Sequence, residues 1–235
     1  MAIRLAVFAG LGSPTLFSKA TQDTALADAS TPEAQALLNA CHKTFLSELC
    51  SISQDSNTSL DIDAKVFQDP QSLLIPPSKY HKNAVIQNTT LCLVQMLRFI
   101  GYRSRSSKHD DRTISGVAGI CSGLLVSMAV AACDDTVSFL AYAQRSFHLA
   151  LLIGRRIEEH VMGVMRSSGC DGTLPWSIIV DGVTLEQAEK YISKYKNTVC
   201  ISINFLTLNL TKLYVKSIQE TRYISVREVR KDASP

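Results

Sequence analysis

The sequence contains no C-x-x-C pair, no block of like charge and no apolar run long enough to cross a membrane. Each absence removes a class of function. The seven cysteines (Cys41, Cys50, Cys92, Cys121, Cys133, Cys170 and Cys200) are odd in number and irregularly spaced, and no histidine stands at zinc-finger distance from a cysteine pair. A structural zinc or a secreted disulfide framework does not fit that pattern, whereas reduced intracellular thiols do. Lys+Arg number 24 against 21 Asp+Glu, and the resulting +3 is spread along the chain. Nucleic-acid binders concentrate basic charge on one face, so no nucleic-acid partner is expected. Leu124–Ala132, the most apolar stretch, falls far short of the roughly 20 residues of a membrane span. Met1–Phe8 lacks the h-region and cleavage pattern of a signal peptide. A cytoplasmic protein with no membrane contact is therefore expected. Aromatics are scarce, at 7%, yet 46% hydrophobic content over 235 residues suffices for one sizeable core and a small second subdomain.

The pattern along the chain alternates strand and helix signals. Ile3–Phe8 is a short apolar run ended by glycine, as a buried strand would be, and Gly10-Leu11-Gly12-Ser13-Pro14 follows as a loop. A helix is expected from Pro32, where Ala36, Leu37, Ala40, Phe45, Leu46 and Leu49 recur at helical spacing. Ser51–Ser59, and the region punctuated by Pro70, Pro76 and Pro77, read as irregular. A second helix is expected over Ala84–Ile100 with Gly101 as its stop. Tyr102–Arg112 reads as a solvated basic loop, Thr113–Ala118 as a short strand, Leu124–Ala132 as a helix apolar nearly all round and hence buried, and Val137–His160 as a long helix. After the break at Gly169–Gly172 come strand Trp176–Val180, a helix capped by Thr184 with Gln187 three residues on, strands Thr198–Ile203 and Phe205–Leu210, a short helix Leu213–Gln219 and a strand Tyr223–Val229. The order β-α-β-β-α-β is that of a ferredoxin-like subdomain.

One pentapeptide carries chemistry. Gly119-Ile120-Cys121-Ser122-Gly123 is G-x-C-x-G between a strand and an apolar helix, the context of a nucleophile elbow with cysteine in place of serine. The turn is so tight that the residues two before and two after the nucleophile must lack bulk, while the nucleophile is held strained and exposed. The N-terminus of the following helix favours developing negative charge and offers the Ser122 backbone N–H to an oxyanion. An inert buried thiol in a structural turn is the alternative reading of the same residues.

Phe8-Ala9-Gly10-Leu11-Gly12-Ser13, directly after the first strand, lies where acyltransferases of fatty-acid and polyketide synthesis carry a loop whose backbone N–H is the second oxyanion donor. The chain resembles the starter-unit acyltransferase domain of fungal non-reducing polyketide synthases over most of its length. Asn83-Ala84-Val85-Ile86-Gln87 leading into Leu93-Val94-Gln95-Met96-Leu97 resembles the helix before the elbow, and Gly119 through Leu125 the active-site signature. His148 through Gly154 resembles the next helix, and Pro175-Trp176-Ser177 through Gly182 the entry to the ferredoxin-like subdomain.

The resemblance implies that Cys121 is the nucleophile, that the backbone N–H groups of Ser122 and Leu11 form the oxyanion hole, and that Gly119 and Gly123 shape the elbow. It implies acyl-CoA or a phosphopantetheine-linked thioester as substrate, an acyl carrier protein or polyketide synthase as partner, and no bound cofactor or metal. Two departures stand out. Leu11 replaces the family's usual glutamine, and the family's catalytic histidine, beyond the last ferredoxin-like strand, has no counterpart between Tyr223 and Pro235. His42, His81, His109, His148 and His160 read instead as surface, loop or packed residues. Arg155-Arg156 with Glu158-Glu159 reads as a solvated helix face, and Trp176 as core.

The expected fold is thus α/β: an acyltransferase-type (α/β-hydrolase-like) parallel-sheet subdomain over 1–172, a ferredoxin-like small subdomain over 173–229 and a tail over 230–235, incomplete at the C-terminus. The expected function is loading of a starter acyl group onto a polyketide synthase carrier protein through a Cys121 thioester. Its rivals are a catalytically inactive remnant or docking protein of a polyketide gene cluster, and a cysteine thioesterase.

Overall fold

The computed structural model describes residues 5–11, 15–53, 60–105, 114–168, 177–181, 185–193, 199–205 and 210–215. The chain divides into two units, 1–160 and 161–235, and each is described by itself.

The first unit opens with β1 (Leu5–Phe8) and is otherwise dominated by helices α1 (Lys19–Asp28), α2 (Pro32–Ser53) and α3 (Ala84–Arg105) before β2 (Gly116–Gly119), α4 (Gly123–Ala131) and α5 (Thr136–Ser168), the last of which runs across the division. Side-chain caps start these helices. Ser18 accepts the Thr21 N–H of α1 at 3.3 Å. Thr31 accepts the Ala34 N–H of α2 at 3.2 Å, with Pro32 at the first helical position where no donor is lost. Asn83 accepts from the N–H groups of both Val85 and Ile86, and the Glu158 carboxylate of α5 takes the Ala84 N–H. All four orphan donors of a helix N-terminus need such partners when the end is not fully solvated. At α5, Asp135 accepts the Ser138 N–H at 2.7 Å and the Ser138 hydroxyl accepts the Asp135 N–H at 3.1 Å, a reciprocal cap.

The core lies between α2, α3 and α5. Phe45, Phe67, Phe139 and Phe147 are fully buried there with Leu37, Leu38, Leu93, Met96 and Leu97. Two aromatic chains run through it. Phe45 meets Phe67 at 5.2 Å and Phe67 meets Tyr80 at 5.5 Å, joining the first and last of three short 3-10 turns over Ala64–Phe67, Pro70–Leu73 and Ser78–Tyr80. Phe8 at the end of β1 meets Phe99 of α3 edge-on at 6.3 Å, and Phe99 meets Phe139 of α5 at 5.1 Å. Each such pair adds about 0.5–1.5 kcal/mol beyond area burial. The second chain pins the end of β1 to the helical core.

The two strands pair in parallel, Leu5 with Gly116 through to Phe8 with Gly119. The face bearing Phe8 and Gly119 lies against α3 and α4; on the other, Leu5 and Val7 are exposed. The described first unit is therefore mostly helical around a two-stranded parallel sheet, a smaller sheet than expected.

Three local expectations are corrected. Helix α1 lies in a stretch where no helix was expected, because its weak amphipathicity gives little periodic signal. Gly101 does not stop α3, which continues to Arg105. A side chain there would collide with the Asp28 carboxylate, so this glycine serves close packing of α1 against α3, and Arg105 closes the contact by pairing with Asp28 at 2.7 Å. Helix α4 is not buried all round: Val126, Ser127 and Ala129 face inward while Leu124 and Met128 are exposed.

In the second unit, β3 (Ser177–Asp181), α6 (Leu185–Ile192), β4 (Val199–Phe205) and β5 (Leu210–Val215) form a three-stranded sheet of order β3-β5-β4. Strand β5 is antiparallel to both neighbours, with an irregularity between Ile201 and Ile203. A strand inserted between two strands joined by a helix is the split βαβ arrangement. The expected short helix from Leu213 is corrected: Leu213, Tyr214 and Val215 belong to β5. Thr211, Tyr214 and Val215 are β-branched or aromatic residues that suit a strand, and a partner strand on each side fixes the segment as one. Tyr223–Val229, Trp176 and Thr184 lie outside the described residues.

Candidate active site

Strand β2 delivers the chain to Cys121 and α4 takes it away within three residues. Such a reversal is set by backbone bonds. The Ile120 N–H donates to the Phe8 carbonyl at 3.0 Å, extending the parallel pairing by one residue. The N–H groups of Gly123, Leu124 and Leu125 then donate to the carbonyls of Ile120, Cys121 and Ser122 at 3.0, 3.0 and 3.2 Å. These bonds hold Cys121 in the left-handed region with φ 55°, the one positive φ among the described non-glycine residues. Such a conformation costs about 1–3 kcal/mol and persists only where the surroundings over-determine it.

Three glycines make the turn possible. A Cβ on Gly119 would lie 2.5 Å from the Gly123 carbonyl oxygen and 2.6 Å from the Leu124 Cα. A Cβ on Gly123 would strike the carbonyl oxygens of Phe8 and Ala9. A Cβ on Gly10 would lie 2.5 Å from the Cys121 Cβ and 3.4 Å from its Sγ. The loop after β1 and the turn after β2 thus touch at Gly10 and Cys121, with no room for a side chain between them.

Cys121 is exposed, and its Sγ lies 3.8 Å from the Ser122 Oγ. The Ser122 hydroxyl donates to the Asn88 Oδ1 at 2.9 Å, and Asn88, buried in α3, donates its Nδ2 to the Ala84 carbonyl at 2.8 Å. The turn's own bonds engage N–H groups from Gly123 onward, one residue past Ser122. In the facing loop, the Ala9 carbonyl accepts from Gln95 Nε2 at 2.7 Å, and Leu11 stands half-buried two residues on. Ile120, next to the cysteine in the chain, and Leu124 and Met128 of α4 are apolar and exposed at 54%, 50% and 60%.

The other thiols contrast with Cys121. Burial pushes the Cys92 thiol up to about 12, and burial together with the nearby Cys92 drives Cys41 well above its ordinary value. Both stay protonated and shielded. Cys133 is raised chiefly by burial.

Of the sequence-predicted residues, Cys121, Ser122, Gly119, Gly123 and the Leu11 loop are brought together. The histidines are not. His42 is buried against the Phe67 carbonyl at 2.6 Å. His81 bonds the Pro76 carbonyl and stacks on Phe17. His148 pairs with Glu48 at 2.9 Å, His160 is exposed, and His109 lies outside the described residues. None of the described histidines hydrogen-bonds to Cys121. Glu159 bridges Arg155 and Arg156, so these charges are satisfied along the helix. No group of three or more His, Cys, Asp or Glu among the described residues could hold a metal ion, and no helix among them is long and apolar enough to cross a membrane.

Asn88 and Gln95 were not foreseen as site residues. They stand seven positions apart, two turns along one face of α3. Gln95 is polar between the buried apolar Val94 and Met96, which is a signal that the sequence did contain, whereas Asn88 sits in the polar run Gln87–Thr90 and does not stand out.

A family model described as the starter unit:ACP transacylase in aflatoxin biosynthesis matches residues 15–211. The orsellinic acid synthase ArmB of Armillaria ostoyae is 33% identical over 200 residues, covering 80% of this chain and 9% of that protein. Its counterpart in Armillaria mellea is 32% identical over 200 residues, again 80% of this chain and 9% of the relative. The orsellinic acid synthase of Beauveria bassiana is 33% identical over 195 residues, with 80% of this chain and 8% of that protein covered. The chain spans under a tenth of the length of these curated relatives.

Proposed function

This chain belongs to the starter unit:ACP transacylase family, and from that premise we propose that it transfers a starter acyl group through a thioester on Cys121. The observation that carries the proposal is the strained, exposed cysteine at φ 55°, set between a parallel strand and a helix N-terminus. That arrangement supports an acyltransferase-type elbow in an α/β-hydrolase-like subdomain, with the split βαβ unit as part of a ferredoxin-like one.

The Cys121 sulfur attacks the carbonyl carbon of an acyl thioester. The carbonyl π electrons move onto oxygen, and the tetrahedral oxyanion collapses with loss of the donor's thiol. The proton that Cys121 gives up leaves with that thiol, so RCO–SR′ and Cys121–SH become Cys121–S–COR and R′SH. A phosphopantetheine thiol of a carrier protein then reverses the step. One thioester replaces another each time, which keeps the exchange near thermoneutral. The backbone N–H of Ser122 is one oxyanion donor and that of Leu11 the other. A leucine there keeps that donor, which is main chain, but forgoes the hydrogen bonds by which a glutamine side chain would shape the loop. Loss of one such donor costs about 10²–10³ in rate in acyl-transfer enzymes.

Transfer itself is the test. The protein is loaded with an acyl-CoA, freed of excess donor and offered pantetheine or a phosphopantetheinylated carrier protein. Acyl transfer by the native chain and none by Cys121→Ala is the expected result. Equal transfer by the variant refutes the assignment.

The absence of a histidine partner for Cys121 among the described residues favours one second reading, a docking module of a polyketide synthase that catalyses nothing. A chain that folds, binds a carrier protein and never acquires an acyl group would establish it.

A further inference from the structure

The loop facing Cys121 is held from outside the turn by one side chain. Gln95, in the middle of α3, donates its Nε2 to the Ala9 carbonyl at 2.7 Å, across 86 residues of sequence. Ala9 precedes Gly10, on which a Cβ would lie 2.5 Å from the Cys121 Cβ. A carbonyl fixed in space fixes the plane of its peptide unit, so the Gln95 bond sets the direction in which the chain leaves β1 through Gly10 toward Leu11. The opposite side of the same amide, Oε1, is buried without a hydrogen-bond partner among the described residues. An unsatisfied buried acceptor costs free energy, and one on the side chain that holds the loop facing Cys121 asks for an explanation beyond packing.

We propose that Gln95 is a positioning residue. Its bond to the Ala9 carbonyl preorganises the Gly10–Leu11 backbone, so that the oxyanion donor on the β1 side is in place before substrate arrives. The inference rests on the acyl-transfer reading of Cys121 and deepens it. Helix α3 then holds both halves of the oxyanion hole from a single face: Asn88 tethers Ser122 on the α4 side, and Gln95 tethers the loop after β1. A donor displaced by about 1 Å forfeits on the order of 10²-fold in rate, which sets the scale of the expected effect.

Two variants test it on the full chain. Gln95→Met keeps length and volume without the donor. Gln95→Glu keeps the shape and can donate to a carbonyl only when its carboxyl is protonated. Single-turnover acylation by acetyl-CoA and octanoyl-CoA is followed by intact mass, and amide hydrogen exchange of Gly10 and Leu11 is measured in parallel. In Gln95→Met the limiting acylation rate is expected to fall about 10²-fold with KM within about twofold of native, and the Gly10 and Leu11 amides exchange faster. In Gln95→Glu the rate relative to native rises as pH falls toward the carboxyl pKa, which a purely structural role would not produce. Native acylation with an unchanged rate in Gln95→Met overturns the positioning role and leaves the acyl-transfer reading standing. If the native chain takes no acyl group, that reading falls. Hydrogen exchange then decides alone: unaltered protection at Gly10 and Leu11 overturns the clamp.

Discussion

Gly10 and Cys121, 111 positions apart in sequence, face each other so closely that a Cβ on the glycine would stand 2.5 Å from the Cys121 Cβ. The contact joins the two loops that follow the paired strands and makes the cysteine's position depend on both. Gly10→Ala should therefore push the thiol out of place. We expect a loss of about 1–3 kcal/mol in stability from overpacking together with slower acylation, measured by urea denaturation and by mass. A fully stable, fully active alanine variant would show that the two loops do not constrain one another.

Gly123 is the stricter position, because its obstacles are the backbone oxygens of Phe8 and Ala9 and backbone yields less than a side chain. Gly123→Val should break the turn and lower the thermal midpoint strongly. An unchanged midpoint would contradict the tight-turn account.

The Ser122–Asn88 hydrogen bond is open to a double-mutant cycle. Its 2.9 Å length and the burial of Asn88 predict a coupling of about 1 kcal/mol between Ser122→Ala and Asn88→Ala. Asn88→Ala alone should also lower the rate of acylation, since the tether orients Ser122, whose backbone N–H is the proposed oxyanion donor. Additive stabilities would remove the tether from the account.

Buried thiols give a pH signature. Burial raises Cys92 to about 12, so the folded chain keeps a proton that the unfolded chain releases near its ordinary value of 9.0. Folding then loses stability as pH rises through the window between these values, by about 1.4 kcal/mol per pH unit per thiol, and the contribution is fully present below it. Cys92→Ala should start less stable at neutral pH and decline less steeply from about pH 9 to about pH 11. Parallel denaturation profiles would contradict the assignment.

Much of the site was legible because glycine leaves a plain mark. Gly119 and Gly123 flanking Cys121 could be read directly, since only a residue without a side chain passes so close to backbone. Helices α2 and α5 were likewise visible in their apolar spacing. Other features were hidden for physical reasons. Gly101 looked like a helix stop because the local rule is blind to Asp28 packing on it from α1. Leu213–Val215 looked helical until β5 gained a strand on each side. Leu124 and Met128 looked buried because an apolar helix gives no sign of which face is left uncovered. Asn88 and Gln95 act across 34 and 86 residues, and of these long-range hydrogen bonds only that of Gln95 leaves a trace, polarity out of place.

Whether Cys121 takes an acyl group is read from intact-protein mass after incubation with a panel of acyl-CoA thioesters. The native chain should gain one acyl group, with the preferred thioester giving the fastest adduct, and Cys121→Ala should gain none. A folded native chain that gains no mass, or a variant that gains the same mass, would contradict the thioester on Cys121.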